Sequence, residues 1–480
     1  MMSLYTILGW LTVVAIFQGV KPLPPGVNYQ SVRYPIADSS MEFISDLTYV
    51  DSLGKTHYQQ EIFDSVFAYI ESAEKYILLD VFLFNSYKGP SQWSLNELSS
   101  DLSDLLIRKK QQNPLIQIDF ITDPVNTIYG GVQHPELQAM QRAGINTIVT
   151  DLTRLRDSNP LYNPIWRTFF QWFGNTSDYG FLPNAFSDKE NSVTLRSYLA
   201  FLNLKANHRK VFVADYKTEM VSVVTSANPH SASADFSNIG IIVKGDVWQD
   251  IYKTEKGVAS FSNASLSGGG LQATTSSKTD LQNENSIQLI TEKKIQDALV
   301  HQIGSTTRGD SIKIAMFYLS NRKVVKGLLS ASEAGVAIRL ILDPNKDGFG
   351  FHHNGTPNRP VTKELRRKSK DDIQIRWFQT HGEQFHSKMT IIKKQQGPNI
   401  VILGSSNLTR KNLGNYNLET DILLTFNKNS TVFHEMESYF NMLWFNQGEN
   451  YTVDYDVFDD SRFLKTILYR FQEFSGLSTY

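Results

Sequence analysis

Two short histidine–lysine motifs combine residue types that suit chemistry at phosphorus. His208 is followed by Lys210, and His386 is followed by Lys388, each at the start of an apolar run typical of a strand. Residues i and i+2 of a strand point to the same face of its sheet. Each motif therefore offers an imidazole beside an ammonium group. A single His-x-Lys pair arises often by chance, but two pairs in equivalent positions of one chain indicate a function.

A second strand-like run follows each motif and ends in Ser-x-Asn. In the first half of the chain these residues are Ser226 and Asn228, and in the second half they are Ser405 and Asn407. Hydroxyl and amide groups at a strand end can donate hydrogen bonds at the same sheet edge as a histidine and a lysine. We therefore expect all of these side chains to meet in one site.

The residue types in this set suit transfer of a phosphodiester group. Lysines and asparagines can neutralise and hold the non-bridging oxygens. One histidine can attack phosphorus to form a covalent phosphohistidine. The other can protonate the leaving oxygen and then activate water or an alcohol, because an unperturbed imidazole titrates near about 6.5. We expect no cofactor and no metal, since the lysines supply the positive charge.

The elements that position these residues occur twice. In each half a helix-like pattern precedes a strand-like run that ends in Asp-Pro, and another strand-like run lies further upstream. The matching segments are residues 76–84, 98–110 and 116–124 in the first half, and 311–319, 323–334 and 336–344 in the second. This alternation predicts two α/β domains. We expect a first domain over residues 27–260, a Ser- and Gly-rich linker over 261–285 and a second domain over 286–480.

Composition narrows the possible functions further. The chain has 480 residues, 41% of them hydrophobic, with a formal net charge of −1 and no cysteine. Disulfides, metal–thiolate sites and cysteine nucleophiles are therefore excluded. A near-neutral chain gives no overall attraction to nucleic acid, although a local basic patch would be compatible with it.

The N-terminus carries an uncharged apolar run over residues 4–20, followed by Lys21 and a Pro-rich stretch. A membrane-spanning helix needs about 20 apolar residues, with a lower limit near 17. We expect a retained transmembrane helix that anchors the protein in a bacterial cell membrane. A cleaved signal peptide and a buried N-terminal helix are the alternatives.

The two motif copies resemble the signature of the phospholipase D superfamily. His208-x-Lys210 with Asp215, followed by Ser226-x-Asn228, is similar to the first copy of that signature. His386-x-Lys388 with Ser405-x-Asn407 is similar to the second copy. The resemblance implies duplicated α/β sandwich domains with one active site at their interface. It also implies a metal-independent, two-step reaction through a phosphohistidine.

Two positions depart from the family pattern. Lys393 stands where the second signature Asp would fall, and the resemblance implies a structural role for that Asp. Glu419 stands where the family has the carboxylate that orients a histidine, whereas the first half has Ser237 or Asn238 there. We expect Glu419 to support a histidine of its own half, His386. The resemblance nevertheless favours His208 as nucleophile and His386 as acid and base.

Five large aromatic residues lie within residues 163–174, and they predict either a core segment or an exposed surface that meets a membrane. With the apolar N-terminus and the neutral charge, they favour a phospholipid substrate over nucleic acid. The expected function is that of a phospholipase D or of a phosphatidyl transferase of cardiolipin synthase type. A metal-independent nuclease is the alternative, and a non-catalytic phosphate-binding scaffold is a third. Because both motifs lie in one chain, we expect a monomer to be active.

Overall fold

The computed structural model describes residues 4–87, 97–184, 192–268, 285–348, 351–459 and 463–478. Its strands, in chain order, are β1 (Tyr34–Ile36), β2 (Met41–Val50), β3 (Thr56–Gln59), β4 (Tyr76–Val81), β5 (Gln117–Thr122), β6 (Asn146–Val149), β7 (Lys210–Tyr216), β8 (Glu219–Thr225), β9 (Asn238–Lys244), β10 (Asn285–Thr291), β11 (Ser311–Met316), β12 (Ala337–Leu342), β13 (Asp347–Gly348), β14 (Phe351–His352), β15 (Ile373–Phe378), β16 (Lys388–Lys393), β17 (Asn399–Gly404), β18 (Thr420–Phe426) and β19 (Thr452–Asp454).

The helices are α1 (Leu4–Val20), α2 (Ile62–Ser72), α3 (Leu98–Gln112), α4 (Pro135–Arg142), α5 (Asn163–Ile165), α6 (Leu195–Phe201), α7 (Val247–Phe261), α8 (Lys293–Gly304), α9 (Arg322–Glu333), α10 (Asn358–Ser369), α11 (Arg410–Leu413), α12 (Thr431–Phe445) and α13 (Phe463–Ser475). Short 3-10 turns lie at Asp38–Ser40, Pro124–Thr127, Leu152–Arg154, Ser231–Ser233 and Tyr455–Phe458, and a π-helical turn lies at Trp166–Phe170.

Two large sheets repeat one strand order. The first sheet runs β3-β2-β9-β8-β7-β4-β5-β6, and the second runs β1-β10-β18-β17-β16-β11-β12-β15-β19. In both sheets the three strands that alternate with helices are parallel, and the motif strand, β7 or β16, joins them antiparallel. The sequence repeat is therefore a repeat of topology. β1 departs from it, because it precedes the first sheet in sequence but pairs with β10 of the second.

The sheets pack face to face, with helices on their outer faces. Alternate residues of the motif strands face different hydrophobic cores. Val213 and Ile391 lie in a core shared by both sheets. Phe212 lies in the outer core of the first half with residues of α2 and α3, and Ile392 lies in the outer core of the second half. Since residues i and i+1 of a strand face opposite sides, both strands are buried on two faces. The result is a mixed α/β fold.

The N-terminal segment does not form the predicted transmembrane helix. α1 has 17 residues and spans about 25 Å at 1.5 Å per residue, against a hydrocarbon core of about 30 Å. None of the described helices combines the length and apolar character needed to cross a membrane. α1 instead contacts the first half: Trp10 Nε1 donates to Thr168 Oγ1 at 3.2 Å, and Asp157 N donates to Gln18 O at 3.0 Å. The predictions of a transmembrane helix over residues 4–20 and of an anchor in a bacterial cell membrane were therefore wrong.

Most of the predicted linker cannot be compared with the structure. Residues 269–284 lie outside the described residues. The flanking elements are α7, which ends at Phe261, and β10, which begins at Asn285. The proposed domain boundaries at 260 and 286 therefore stay predictions.

Candidate active site

One cavity of about 430 Å³ lies where the two halves meet. His208 and Asn228 line it from the first half, and His386 and Asn407 line it from the second. All four residues are buried. The structure thus brings together the histidines and asparagines that the sequence singled out in separate motifs.

Short backbone contacts between the halves fix the peptide at each histidine. His208 N donates to Leu418 O at 2.9 Å, immediately before Glu419. His386 N donates to Ser237 O at 2.8 Å, immediately before Asn238. The main chain of each histidine is therefore held by a residue of the opposite half, and the next residue in that half is Glu419 or Asn238.

The repeated Asp-Pro sequences also position the motifs. The Asp123 carboxylate accepts hydrogen bonds from Asn207 N and Val125 N, both at 2.7 Å. The Asp343 carboxylate accepts from Phe385 N at 2.8 Å. Burial raises the pKa of each Asp to about 7, while the main-chain donors oppose that rise. From sequence, Asp123 and Asp343 were predicted only to end their strands. Their equivalent position in the two halves was the signal for the second role.

The two motif lysines are buried beside their histidines. Lys210 Nζ donates to His208 O at 2.8 Å, and Lys388 Nζ donates to His386 O at 3.0 Å. Burial lowers the pKa of Lys210 to about 7. Burial and then the neighbouring Lys210 hold the pKa of Lys388 well below its usual range. An anion bound between them would favour the charged form of both lysines.

Glu419 contacts the histidine of the other half. His208 Nδ1 lies 2.9 Å from Glu419 Oε1 and 3.0 Å from Oε2. Ser405 Oγ donates to Glu419 Oε2 at 2.5 Å, and Asn412 Nδ2 donates to Oε1. The expectation that Glu419 supports His386 was therefore wrong. The physical reason is that a segment of each half packs against the motif of the other half. The segment with Leu418 and Glu419 therefore lies beside His208.

The electrostatics of this pair follow from its burial. Burial, followed by the charges of Lys210, Lys388 and His386, holds the pKa of His208 well below its usual range. Burial raises the pKa of Glu419 well above its usual range, which Lys210 and the hydroxyl and amide donors oppose. Because Ser405 Oγ and Asn412 Nδ2 both donate to the carboxyl group and the Lys210 charge attracts it, the ionised form suits this position.

Asn238 takes the equivalent position beside the second histidine. His386 Nδ1 lies 3.0 Å from Asn238 Oδ1, which also accepts from Ser226 Oγ at 3.1 Å. The two supporting residues Ser226 and Ser405 therefore each hold a histidine partner. From sequence, either Ser237 or Asn238 could take this position, and in the structure Asn238 contacts the histidine.

The remaining predicted residues divide between the cavity and the scaffold. Asn228 Oδ1 accepts from Leu83 N at 3.2 Å, whereas buried Asn407 Oδ1 has no hydrogen-bond partner among the described residues. Asp215 is not part of the cavity lining. Its carboxylate accepts from Glu74 N, Lys75 N and Tyr76 N at 3.0, 2.8 and 2.7 Å. It therefore connects β7 to the start of β4.

Much of the cavity lining is aromatic. The Phe82 ring centroid lies 4.9 Å from that of His208, and the Phe317 centroid lies 5.1 Å from that of His386. The other aromatic residues in the lining are Tyr87, Tyr129, Phe201, Phe236 and Tyr318. A substrate with one charged group and bulky apolar parts fits such a lining.

The aromatic segment at residues 163–174 fits both interpretations in part. Trp166 is buried, whereas Trp172 is 75% exposed and Phe173 is 66% exposed. Trp166 lines a second cavity of about 310 Å³, which shares Tyr129 and Lys205 with the active-site cavity. The segment thus joins an exposed apolar surface to the neighbourhood of the site.

No group of three or more metal-ligating side chains occurs in the part of the chain that the structure describes.

Comparisons with known proteins agree with the motif-based interpretation. Residues 299–444 match the family model of the cardiolipin synthase, PLD-like domain. No curated protein sequence matches the chain. Phosphatidylserine synthase of Haemophilus influenzae Rd KW20 is 12% identical, with a TM-score of 0.57 over 97% of this chain and 98% of that one. Its likeness shows the fold.

Two other solved structures are similar over smaller parts. Polyphosphate kinase of Porphyromonas gingivalis is 12% identical, with a TM-score of 0.45 over 84% of this chain and 50% of that one. Nuc of Salmonella typhimurium, a phospholipase D family member, is 18% identical, with a TM-score of 0.28 over 36% of this chain and 99% of that one. The family-model match over residues 299–444 confirms the predicted resemblance to the phospholipase D superfamily. The prediction of a phospholipase D-like enzyme is confirmed with it.

Proposed function

We propose that this chain, which resembles the phospholipase D superfamily, cleaves or transfers the phosphatidyl group of phospholipids through a covalent phosphohistidine. The observation that carries the proposal is the joint cavity. His208 and His386 line it, a buried lysine lies next to each of them, and aromatic rings form much of the remaining lining. A phosphodiester headgroup suits the first part, and glycerol or acyl portions suit the second.

In the first step, His208 Nε2 attacks phosphorus and forms a P–N bond. The bond from phosphorus to the headgroup oxygen breaks, and His386 Nε2–H gives its proton to that oxygen, so the headgroup leaves as a neutral alcohol. In the second step, His386 takes a proton from water or an alcohol. The oxygen of that acceptor attacks phosphorus, the P–N bond breaks, and His208 is released.

Charge stabilisation comes from groups of both halves. Lys210 and Lys388 lie beside the histidines, and the amides of Asn228 and Asn407 face the same cavity. A phosphodiester oxygen would provide an anionic group for the two buried lysines to contact. It would also provide acceptors for the side-chain amides.

The enzyme is proposed to work at a membrane surface as a monomer. Exposed Trp172 and Phe173 are residues of the kind that enter the headgroup region of a bilayer. Both histidines come from one chain, so a second copy is not needed to complete the site.

A product assay with the purified protein tests the proposal. Phosphatidylglycerol vesicles and a fluorescent single-stranded oligonucleotide are offered in parallel, with chelator and without added metal. We expect phosphatidic acid or cardiolipin from the wild type and neither product from His208→Ala. Phosphatidic acid would identify water as the acceptor, and cardiolipin would identify an alcohol. Oligonucleotide cleavage with untouched lipid would refute the lipid assignment and establish the nuclease.

A further inference from the structure

The two histidines have matching surroundings that differ in one charge. Beside His208, Ser405 Oγ accepts a hydrogen bond from Thr420 N at 2.9 Å and donates to Glu419 at 2.5 Å. The serine hydroxyl is thereby committed as a donor, and the carboxylate is left to accept from His208 Nδ1. This histidine has a charged partner.

The same arrangement beside His386 is built on an amide. Ser226 Oγ accepts from Ile239 N at 3.0 Å and donates to Asn238 Oδ1 at 3.1 Å. Asn238 Nδ2 donates to Phe236 O at 3.0 Å, which fixes the orientation of the amide. Oδ1 therefore faces His386 Nδ1 and accepts a hydrogen bond from its N–H group. This partner is neutral.

Among the described residues, the charges that act most strongly on His386 oppose its protonation. They are those of Lys388, two residues further along the chain, and Lys210 on the facing motif strand, and a protonated His208 across the cavity acts in the same direction. Burial and the two lysines hold the pKa of His386 well below its usual range, against a hydrogen bond to the main chain of Ser226. In the described part of the chain, the position equivalent to Glu419 is taken by the uncharged side chain of Asn238.

We propose that Asn238 is a positioning residue that fixes the His386 proton on Nδ1 and, by its neutrality, makes His386 the proton donor while His208 attacks phosphorus. An imidazolium without a carboxylate partner is the stronger acid, and an imidazole with one is the stronger nucleophile. The assignment of reaction steps rests on the proposed function. The fixed tautomer of His386 is independent of it.

Asn238→Asp tests the charge at nearly constant shape. The new carboxylate favours the imidazolium, so it raises the pKa of His386. Activity that needs protonated His386 then persists to higher pH. We expect the alkaline limb of kcat/KM on phosphatidylglycerol vesicles to move up by about one unit or more. Asn441→Asp is the control, because it adds the same charge beside Lys313, outside the cavity lining. Its profile should match that of the wild type.

Asn238→Ala tests the position without adding charge. It should lower kcat roughly 10- to 100-fold, as loss of a supporting partner does, and leave the alkaline limb in place. The ring ¹⁵N shifts of His386, measured on the full chain and assigned with His386→Gln, should change from one tautomer to a mixture. This readout covers the case in which Asn238→Asp does not fold.

The nuclear magnetic resonance titration separates this proposal from the proposed function. If the wild type transfers no phosphoryl group but His386 titrates at higher pH in Asn238→Asp, the reaction is wrong and the positioning role stands. If folded Asn238→Asp shows neither a moved limb nor a moved titration, the proposal is refuted. An unchanged tautomer in Asn238→Ala would refute it as well.

Discussion

Replacement of Glu419 with Gln should lower kcat/KM roughly 10- to 150-fold while the chain stays folded. Three donors converge on this carboxylate: His208 Nδ1 at 2.9 Å, Ser405 Oγ at 2.5 Å and Asn412 Nδ2. Gln retains one acceptor oxygen and replaces the other with an NH₂ group. At least one donor then faces a donor, and the charge beside His208 is lost.

The magnitude follows from the lost interaction. A hydrogen bond to a charged group contributes about 1.5–3 kcal/mol. Each 1.36 kcal/mol corresponds to about a tenfold change in rate. Because His208 develops positive charge as it attacks phosphorus, the loss falls on the transition state. The acid limb should also move to lower pH, since removal of a carboxylate lowers the pKa of its imidazole partner.

The assay is the pH dependence of kcat/KM on phosphatidylglycerol vesicles, with acid-stable and acid-labile phosphate measured on the quenched protein. Glu437→Gln is the matched control, because Glu437 binds Lys313 at 2.7 Å and Lys393 at 2.8 Å away from the cavity. It should affect stability and leave kcat/KM near the wild-type value. Wild-type kcat/KM in folded Glu419→Gln would refute the role assigned to this carboxylate.

Other substitutions separate catalysis, stability and membrane binding. His208→Ala and His386→Ala should each abolish product formation, and near-normal turnover in either would disprove a shared site. Asp215→Ala should lower the unfolding free energy in urea by about 1–3 kcal/mol, because Asp215 accepts three main-chain hydrogen bonds, with kcat little changed. Replacing Trp172 and Phe173 with Ser should weaken vesicle flotation but preserve turnover of a short-chain soluble phospholipid; equal loss on both substrates would contradict interfacial binding.

The duplicated architecture could be predicted because its signals are local. The matched runs that end in Asp123-Pro and Asp343-Pro are β5 and β12 in the structure. Each pairs in parallel with the strand before it in sequence, β4 or β11. Period-two spacing placed each histidine beside its lysine. Each of these inferences used residues within one half, where chain connectivity fixes the neighbours.

Pairings between the halves could not be obtained in that way. Glu419 and His208 are 211 positions apart, and the Leu418 and His208 backbones meet only because the two sheets pack against each other. The family pattern led us to expect Glu419 beside His386, the histidine of its own half. The same holds for β1, whose pairing with β10 joins segments that precede and follow the whole first sheet.

The N-terminal run shows a different difficulty. An apolar segment of 17 residues lies at the lower limit of length for a membrane-spanning helix. Composition alone does not tell whether such a segment crosses a membrane or packs against the rest of the protein. Here Trp10 and Gln18 make hydrogen bonds to the first half, at Thr168 and Asp157.

Fusion of the two halves into one chain has a chemical consequence. If two identical copies built this site, both histidines would have the same partner, and nothing in the protein would distinguish attack from proton donation. In a fused chain the two partner positions can diverge while the scaffold stays the same. Ser226 and Ser405 keep the same hydrogen bonds, yet one supports an amide at Asn238 and the other a carboxylate at Glu419. The double variant Asn238→Asp with Glu419→Gln should therefore shift the phosphohistidine from the His208 peptide toward the His386 peptide. Trapped phosphate found only on His208 in that variant would show that some feature other than partner charge selects the nucleophile.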